Sequence, residues 1–479
     1  AGLGPALDRL GELLPGKPRD SPATGKDTTM NATHAEGPVL VLGAGMTGLA
    51  TAYQLERLGH HVEVLEGSDR LGGRVHTHRF GPGPDAPFAE LGAMRIPAEH
   101  RRVLDLVDRL GLAGELRPFR GMRPEPVRMP PPGPHAAETR LVGARLTALV
   151  DAVAPPPVRR GVRRDLRTGL LDRLDRLDLR PYASDPDGVH TLLAAHPELR
   201  SACSGELRDF LDDILTETGT ALLRIRGGMG RLVDELAARV QGPIRLDHSV
   251  VGIEVRPDEV LVRVREGSHT TVRRSRNVVC TLPFSVLTRL PMTGVSADKL
   301  DVVRAVRYVS ATKVALHVRE PFWRRTGTPE GATSSGGILR QTYYPAVDGD
   351  PNLGATLLAS YTIGADAESL GRLGPAERVA AIMPELTQLH PELRRPGMVL
   401  GAASAAWMAG HRWAAGGCSV HWGLSSADAA RQRQRAATPE GGLFFAGEHT
   451  SSTPAWIEGA LESADATVAA LHADRALAA

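Results

Sequence analysis

Two charged side chains are placed where their neighbours make them costly. Arg95 lies between apolar residues in "AELGAMRIPAEH" (Ala89 to His100). A guanidinium is expensive to bury unless an anion meets it, and its planar fork matches a carboxylate with two parallel hydrogen bonds. Glu90 and Glu99, in the same segment, are the local carboxylates that compete for it. Lys313, in "SATKVALHV", interrupts a strand-like run. Alternation alone makes it an outward-facing lysine on a half-buried strand.

A third group of residues is glycine. Gly43, Gly45 and Gly48 form G-x-G-x-x-G between an apolar run, Val39 to Leu42, and helically spaced residues from Met46 to Leu58. A second strand follows, His61 to Leu65, ending at Glu66. In such a βαβ unit the first glycine permits the tight turn and the second admits a pyrophosphate to the backbone. The third lets helix and strand pack closely. The helix N-terminus favours the phosphate charge, and Glu66 stands where a carboxylate holds ribose hydroxyls. An acid at that place disfavours NADP. "GSDRLGGRVHT" then adds Gly72, Gly73 and Arg74, and "FFAGEHT" near the C-terminus repeats a strand–glycine–acid theme at Gly447 and Glu448. Such distant second contacts suit a long dinucleotide.

With these motifs the sequence resembles the flavin-containing amine oxidase family, and within it the L-amino acid oxidases, from about Pro38 to the last helix. The resemblance implies that the E-x-x-x-R-x-G-G-R segment (Glu66, Arg70, Gly72, Gly73, Arg74) wraps the FAD ribose and phosphates. It places Val250 of "HSVVGIEV" on the adenine side and Glu448 near the ribityl–pyrophosphate region. Trp456 and Ile457 then begin a helix that faces the flavin's pyrimidine edge. A helix N-terminus there stabilises negative charge on reduced flavin.

The same resemblance assigns the chemistry residues. In "TKVAL…PFW" it makes Lys313 the lysine that holds a water beside flavin N5. In G-x-M-R-[IL]-P it makes Arg95 the clamp on a substrate α-carboxylate, which simple amines do not need. Tyr361 of "LLASYTIG" shares that carboxylate, Trp456 flanks the substrate over the flavin ring, and Tyr343 or Tyr344 of "RQTYYP" lines the side-chain pocket. The implied reaction is hydride transfer from the α-carbon to FAD, reoxidation by O2 with release of H2O2, and hydrolysis of the imino acid to a 2-oxo acid and ammonia. Activity then rises with pH until the amine is fully deprotonated. Segments including "ELGAMRIP", "RQTYYP" and "AWIEGALESA" look most like actinobacterial tryptophan oxidases of indolocarbazole biosynthesis, so an aromatic substrate, L-tryptophan or similar, is expected. The alternatives are an amine or polyamine oxidase, or an oxidase of basic or broad-range amino acids. FAD is expected to be noncovalent. A covalent link through Cys418, in "WAAGGCSVHWG", is the alternative drawn from monoamine oxidases.

The elements that must position these groups follow from composition and patterning. At 479 residues with 42% apolar content the chain can build more than one core. A formal charge of +2 gives no broad basic field for nucleic acid, and "VRRGVRRDLR" reads as a solvated helix face. Cys203, Cys280 and Cys418 form no CxxC pair, which fits a reducing compartment. No apolar run reaches membrane-spanning length, no signal peptide is evident, and a cytoplasmic location is expected. No metal site is read, and a homodimer is expected by analogy. The fold class expected is α/β: a Rossmann-like FAD-binding domain interleaved with an α+β substrate-binding domain and a helical insertion. The boundaries are a tail over 1–36, FAD-binding parts over 37–95, 225–290 and 430–475, and substrate-binding parts over 96–135 and 291–429. A helical region spans 136–224.

Overall fold

Five parallel strands form one sheet, in the spatial order Leu443–Phe445, Val278–Cys280, Val39–Leu42, Val62–Leu65 and Ile244–Arg245. This arrangement, like all that follows, is taken from a computed structural model that describes residues 37–120, 195–196, 221–326, 330–336, 338–419 and 426–478. The strands VLVL, VVC and LFF are apolar throughout and buried along their length. They show no alternation because a parallel sheet is covered on both faces. Val39 and Val41 pack with Leu49, Leu232 and Leu461 of the helices Met46–Arg57, Gly230–Ala237 and Ile457–Ala478. Leu40 and Leu42 face the other way, toward Val260, Val262 and Val264.

Those three valines belong to a second sheet, ordered His269–Ser275, Val260–Glu266, His248–Val255 and Met292–Thr293. Its central strand alternates, with the valines buried and Arg263 and Arg265 exposed, as a sheet with one wet face requires.

A third, antiparallel sheet holds Lys313. Its order is Gly331–Gly336, Arg340–Tyr344, Ala355–Ile363, Ala311–Val318 and Val399–Trp407. Val314, Leu316 and Val318 pack on one face with Leu370, Ile382 and Leu386 of the helices Ala365–Gly371 and Pro375–Leu389. The opposite face carries Lys313 directly across from Tyr361, and Ala315 across from Leu358. The register shifts between Val314 and Ala315, a bulge of the kind that re-aims side chains. That face meets Ala89, Leu91 and Met94. Both faces are therefore covered, and Lys313 is 3% exposed. The outward-facing lysine that alternation suggests is thus corrected: the second cover cannot be seen from the strand's own sequence.

The βαβ unit occurs as the sequence implies, with strands Val39–Leu42 and Val62–Leu65 flanking the helix Met46–Arg57. The last helix begins at Ile457, just after Trp456, and runs to Ala478. The tail over 1–36 and most of the helical region over 136–224 lie outside the described residues. Near the end of that region, Leu222–Ile225 is a strand between Ile96–Pro97 and Leu116–Pro118.

Candidate active site

The glycine loop is built by close approach. Gly43 has φ +102°, a left-handed conformation that glycine adopts without strain. A Cβ on Gly48 would lie 1.9 Å from Gly43 O, whereas one on Gly45 would meet only Gly72 O at 4.0 Å. Gly48 is thus required by the fold itself. Gly45 instead leaves a clear backbone face at the start of a helix that has no side-chain cap, the form of a pyrophosphate cradle.

The second glycine pair closes on the first. Gly72 N donates to Ala44 O at 2.9 Å, and a Cβ on Gly73 would stand 3.4 Å from Gly45 Cα. Arg70 organises this loop: its guanidinium donates to Leu71 O, to Gly73 O at 2.6 Å and to Val75 O. Its hydrogen bonds thus run to the loop that carries Gly72 and Gly73.

Glu66 ties three elements together. Its Oε2 accepts from Ala44 N at 2.8 Å, and Oε1 accepts from the backbone and hydroxyl of Ser68. Its carbonyl accepts from His248 N, which brings the strand bearing Val250 alongside. A carboxylate oxygen with one backbone donor retains capacity for a hydroxyl, so Glu66 Oε2 fits a ribose.

At the far end, Arg74 Nη1 donates to Glu448 Oε1 at 2.8 Å and to Gly417 O. Glu448 also accepts from Ser419 and from Ala455 N. Burial alone would raise its pKa, but the Arg74 charge and these donors hold it at about 2. Gly447, at φ +147°, is pressed against the His449 ring, whose pKa burial lowers to about 4. Cys418 is half-buried, between the two residues that bind the Arg74–Glu448 pair. Cys280 is buried and its thiol is pushed up to about 12 by desolvation, which makes it inert. These groups, from Gly45 through Glu66 to Glu448, fit an extended dinucleotide.

The residues expected to carry the chemistry lie near one another. The Arg95 guanidinium carbon lies 5.7 Å from the centre of the Trp456 ring, and His100 meets the same ring edge-on at 5.1 Å. Lys313 Nζ lies 4.6 Å from the Tyr361 ring centre. Burial first, then the Arg95 charge, lower Lys313 to about 7. Tyr361 stacks obliquely with Tyr343 at 6.3 Å, and Tyr343 with Phe119 at 6.1 Å. Between the tyrosines of "RQTYYP" the fold chooses: Tyr343 belongs to the Lys313 face, whereas Tyr344 packs in the opposite core and bonds His390.

Of the carboxylates near Arg95, Glu90 is engaged by Thr77 Oγ1 and Met229 N, and burial raises its pKa to about 7. Glu99 is exposed. Four further residues shape this site without a sequence signal of their own: His100, Phe119, Trp407 and Glu458. Glu458 accepts from Arg102 N and Val103 N, capping the helix Arg101–Arg109 from the start of the last helix. Only the packing shows these contacts, because they join segments far apart in the chain. Among the described residues no cluster suits a metal ion, and no helix is long and apolar enough to cross a membrane.

Comparison with known proteins agrees with this geometry. Residues 46–472 match the family of flavin-containing amine oxidoreductases. The chain is 49% identical over 463 residues to the flavin-dependent L-tryptophan oxidase RebO of Lentzea aerocolonigenes, covering 91% of this chain and 98% of that protein. It is 26% identical to a putative L-amino-acid oxidase, YobN, of Bacillus subtilis, with 91% and 94% covered. A putrescine oxidase bound to putrescine superposes with TM-score 0.63 at 20% identity, covering 91% and 99%, a likeness of fold. The glycine cradle, the Arg74–Glu448 pair and these matches lead to one assignment: the chain belongs to the flavin-containing amine oxidoreductase family, as a flavin-dependent oxidase of its L-amino acid oxidase branch.

Proposed function

We propose that this enzyme oxidatively deaminates an aromatic L-amino acid, L-tryptophan or a close analogue, to the 2-imino and then 2-oxo acid, with reduction of O2 to H2O2. The observation that carries the reading is Arg95 over the Trp456 ring, beside a buried lysine whose strand partner is Tyr361. A carboxylate is the anion that suits a guanidinium and a phenol together. The similarity to a tryptophan oxidase supports the aromatic side chain.

In this reading Gly43, Gly45, Gly48, Glu66, Gly73, Arg74, Val250, Gly447, Glu448 and Ile457 hold FAD, and Arg70 holds the loop that does so. When bound, FAD supplies the hydride acceptor and the route of electrons to O2. Arg95 and Tyr361 fix the substrate carboxylate, which orients the α-C–H. Trp456 flanks the substrate, and Tyr343 with Phe119 lines the distal pocket. Most of the rate enhancement then comes from positioning. Lys313, poised near neutrality, holds or releases a proton at Nζ during oxygen reduction or imine hydrolysis.

FAD is held noncovalently in this proposal. Acid precipitation tests that point: yellow colour retained by the pellet would assign a bond through Cys418. The function itself is tested by peroxide release from the twenty L-amino acids, their D-forms and a few amines. Turnover of L-tryptophan or another aromatic L-amino acid above the rest is expected. A preference for putrescine or other amines over every amino acid would overturn the proposal.

A further inference from the structure

We propose that Lys313 and Trp407 are positioning residues for Arg95, acting by holding the segment Glu90–Met94 against the antiparallel sheet. The proposal rests on reading Arg95 as the carboxylate clamp.

The segment between the strands Phe88–Glu90 and Ile96–Pro97 is irregular, so its buried carbonyls must find donors outside a ladder. Three consecutive carbonyls, starting at Glu90, the last residue of the first strand, accept from side chains. Lys313 Nζ donates to Glu90 O at 3.3 Å and to Gly92 O at 2.6 Å, and Trp407 Nε1 donates to Leu91 O between them at 2.7 Å. The third Nζ contact is Met94 Sδ at 3.4 Å. As an ammonium, Nζ has a donor for each of these three acceptors on the segment that ends at Arg95; as a neutral amine it keeps two of them.

The two side chains reach it from one sheet face. Lys313 is paired with Ala405, and Ala311, two residues before it, is paired with Trp407. From the other side the cofactor loop closes in. Leu91 N donates to His76 O, Ala93 N donates to Arg74 O, and a Cβ on Gly92 would lie 1.9 Å from Arg74 O. Trp407 also lies under the Arg70 guanidinium carbon, 5.8 Å from its ring centre. The stretch leading to Arg95 is thus clamped between the sheet and the glycine loop, with Trp407 touching both. In this role Lys313 acts on the reductive half of the reaction through Arg95, in addition to any part in oxygen chemistry.

The test compares two probes that differ by the carboxylate, indole-3-acetate and indole, titrated into the FAD-loaded enzyme and read by the flavin absorbance. Trp407→Phe keeps an aromatic ring and removes the Nε1–H. It is expected to weaken indole-3-acetate about tenfold, the scale of one buried hydrogen bond, and to leave indole unchanged. Lys313→Met is expected to do the same more strongly. It also gives a second reading should Trp407→Phe be recovered without flavin. Equal weakening of both probes, or of neither, would overturn the proposal. Arg95→Ala in the same titration separates the two ideas. If it leaves indole-3-acetate unaffected, the clamp reading itself fails. If it abolishes the discrimination while Trp407→Phe and Lys313→Met preserve it, only the positioning role fails.

Discussion

The Arg95 guanidinium carbon stands 5.7 Å from the centre of the Trp456 ring, joining a segment early in the chain to the start of its last helix. Glu458, two residues beyond Trp456, fixes the same junction by accepting from Arg102 N and Val103 N. The cation is therefore located by contacts that do not depend on a ligand. A ring contact of this kind contributes about 0.5–2 kcal/mol, less than a carboxylate pair does. Arg95→Ala is expected to cost about 2–5 kcal/mol in binding the anionic transition state, or about 30-fold to several thousandfold in kcat/KM for amino acids. Arg95→Lys should recover only part, since it keeps the charge and loses the fork. Steady-state kinetics at matched flavin content measure both.

The two glycines of the cradle fail in different ways. Gly48→Ala puts a Cβ 1.9 Å from Gly43 O, so it should destabilise the βαβ unit with or without flavin. Gly45→Ala meets nothing in the protein closer than 4.0 Å. It is expected to give a folded chain with little bound FAD. Thermal melts and the ratio of flavin to protein absorbance distinguish the two; a fully loaded Gly45→Ala enzyme would argue against the cradle.

The adjacent tyrosines of "RQTYYP" separate pocket from core. Tyr344 hydroxyl bonds His390 Nε2 at 2.9 Å within the helix-covered core. Tyr344→Phe should therefore cost about 1 kcal/mol of stability and leave substrate preference alone. Tyr343 packs between Phe119 and Tyr361. Tyr343→Ala should change the ratio of kcat/KM for tryptophan to that for smaller amino acids, with denaturation midpoints and a substrate panel as the two measurements.

The proposed dinucleotide half could be read from sequence because its constraints are local. Gly43, Gly45, Gly48 and Glu66 lie within one βαβ unit: backbone geometry requires Gly43 and Gly48, Gly45 leaves an open backbone face, and Glu66 accepts from Ala44 N. The proposed substrate half rests in the sequence on resemblance alone. Alternation turned Lys313 outward, because nothing in its own strand shows that Ala89, Leu91 and Met94 cover the second face. The choice between Tyr343 and Tyr344 rested on which face of the sheet carries the helices. Trp407 and Glu458 act across hundreds of residues, on Leu91 O and on the helix Arg101–Arg109, and no pattern in sequence marks such pairs.

The Arg74–Glu448 pair predicts an acid limb in stability. Glu448 is buried, and against that desolvation the Arg74 charge and the donors from Ser419 and Ala455 bring its pKa from an ordinary 4.5 to about 2. A carboxyl with a depressed folded pKa contributes stability that is fully present above its unfolded pKa. As pH falls below 4.5 the unfolded chain takes up the proton first, so the contribution shrinks and is gone below about 2. The shift corresponds to about 3 kcal/mol. Glu448→Gln removes the titration. Its stability deficit against the parent enzyme should be largest near neutral pH and should close between 4.5 and 2. Denaturant melts at a series of pH values, with both proteins equally loaded with flavin, measure the difference. A deficit independent of pH would mean that Glu448 contributes packing and hydrogen bonds but no charge, and that Arg74 is neutralised by another group.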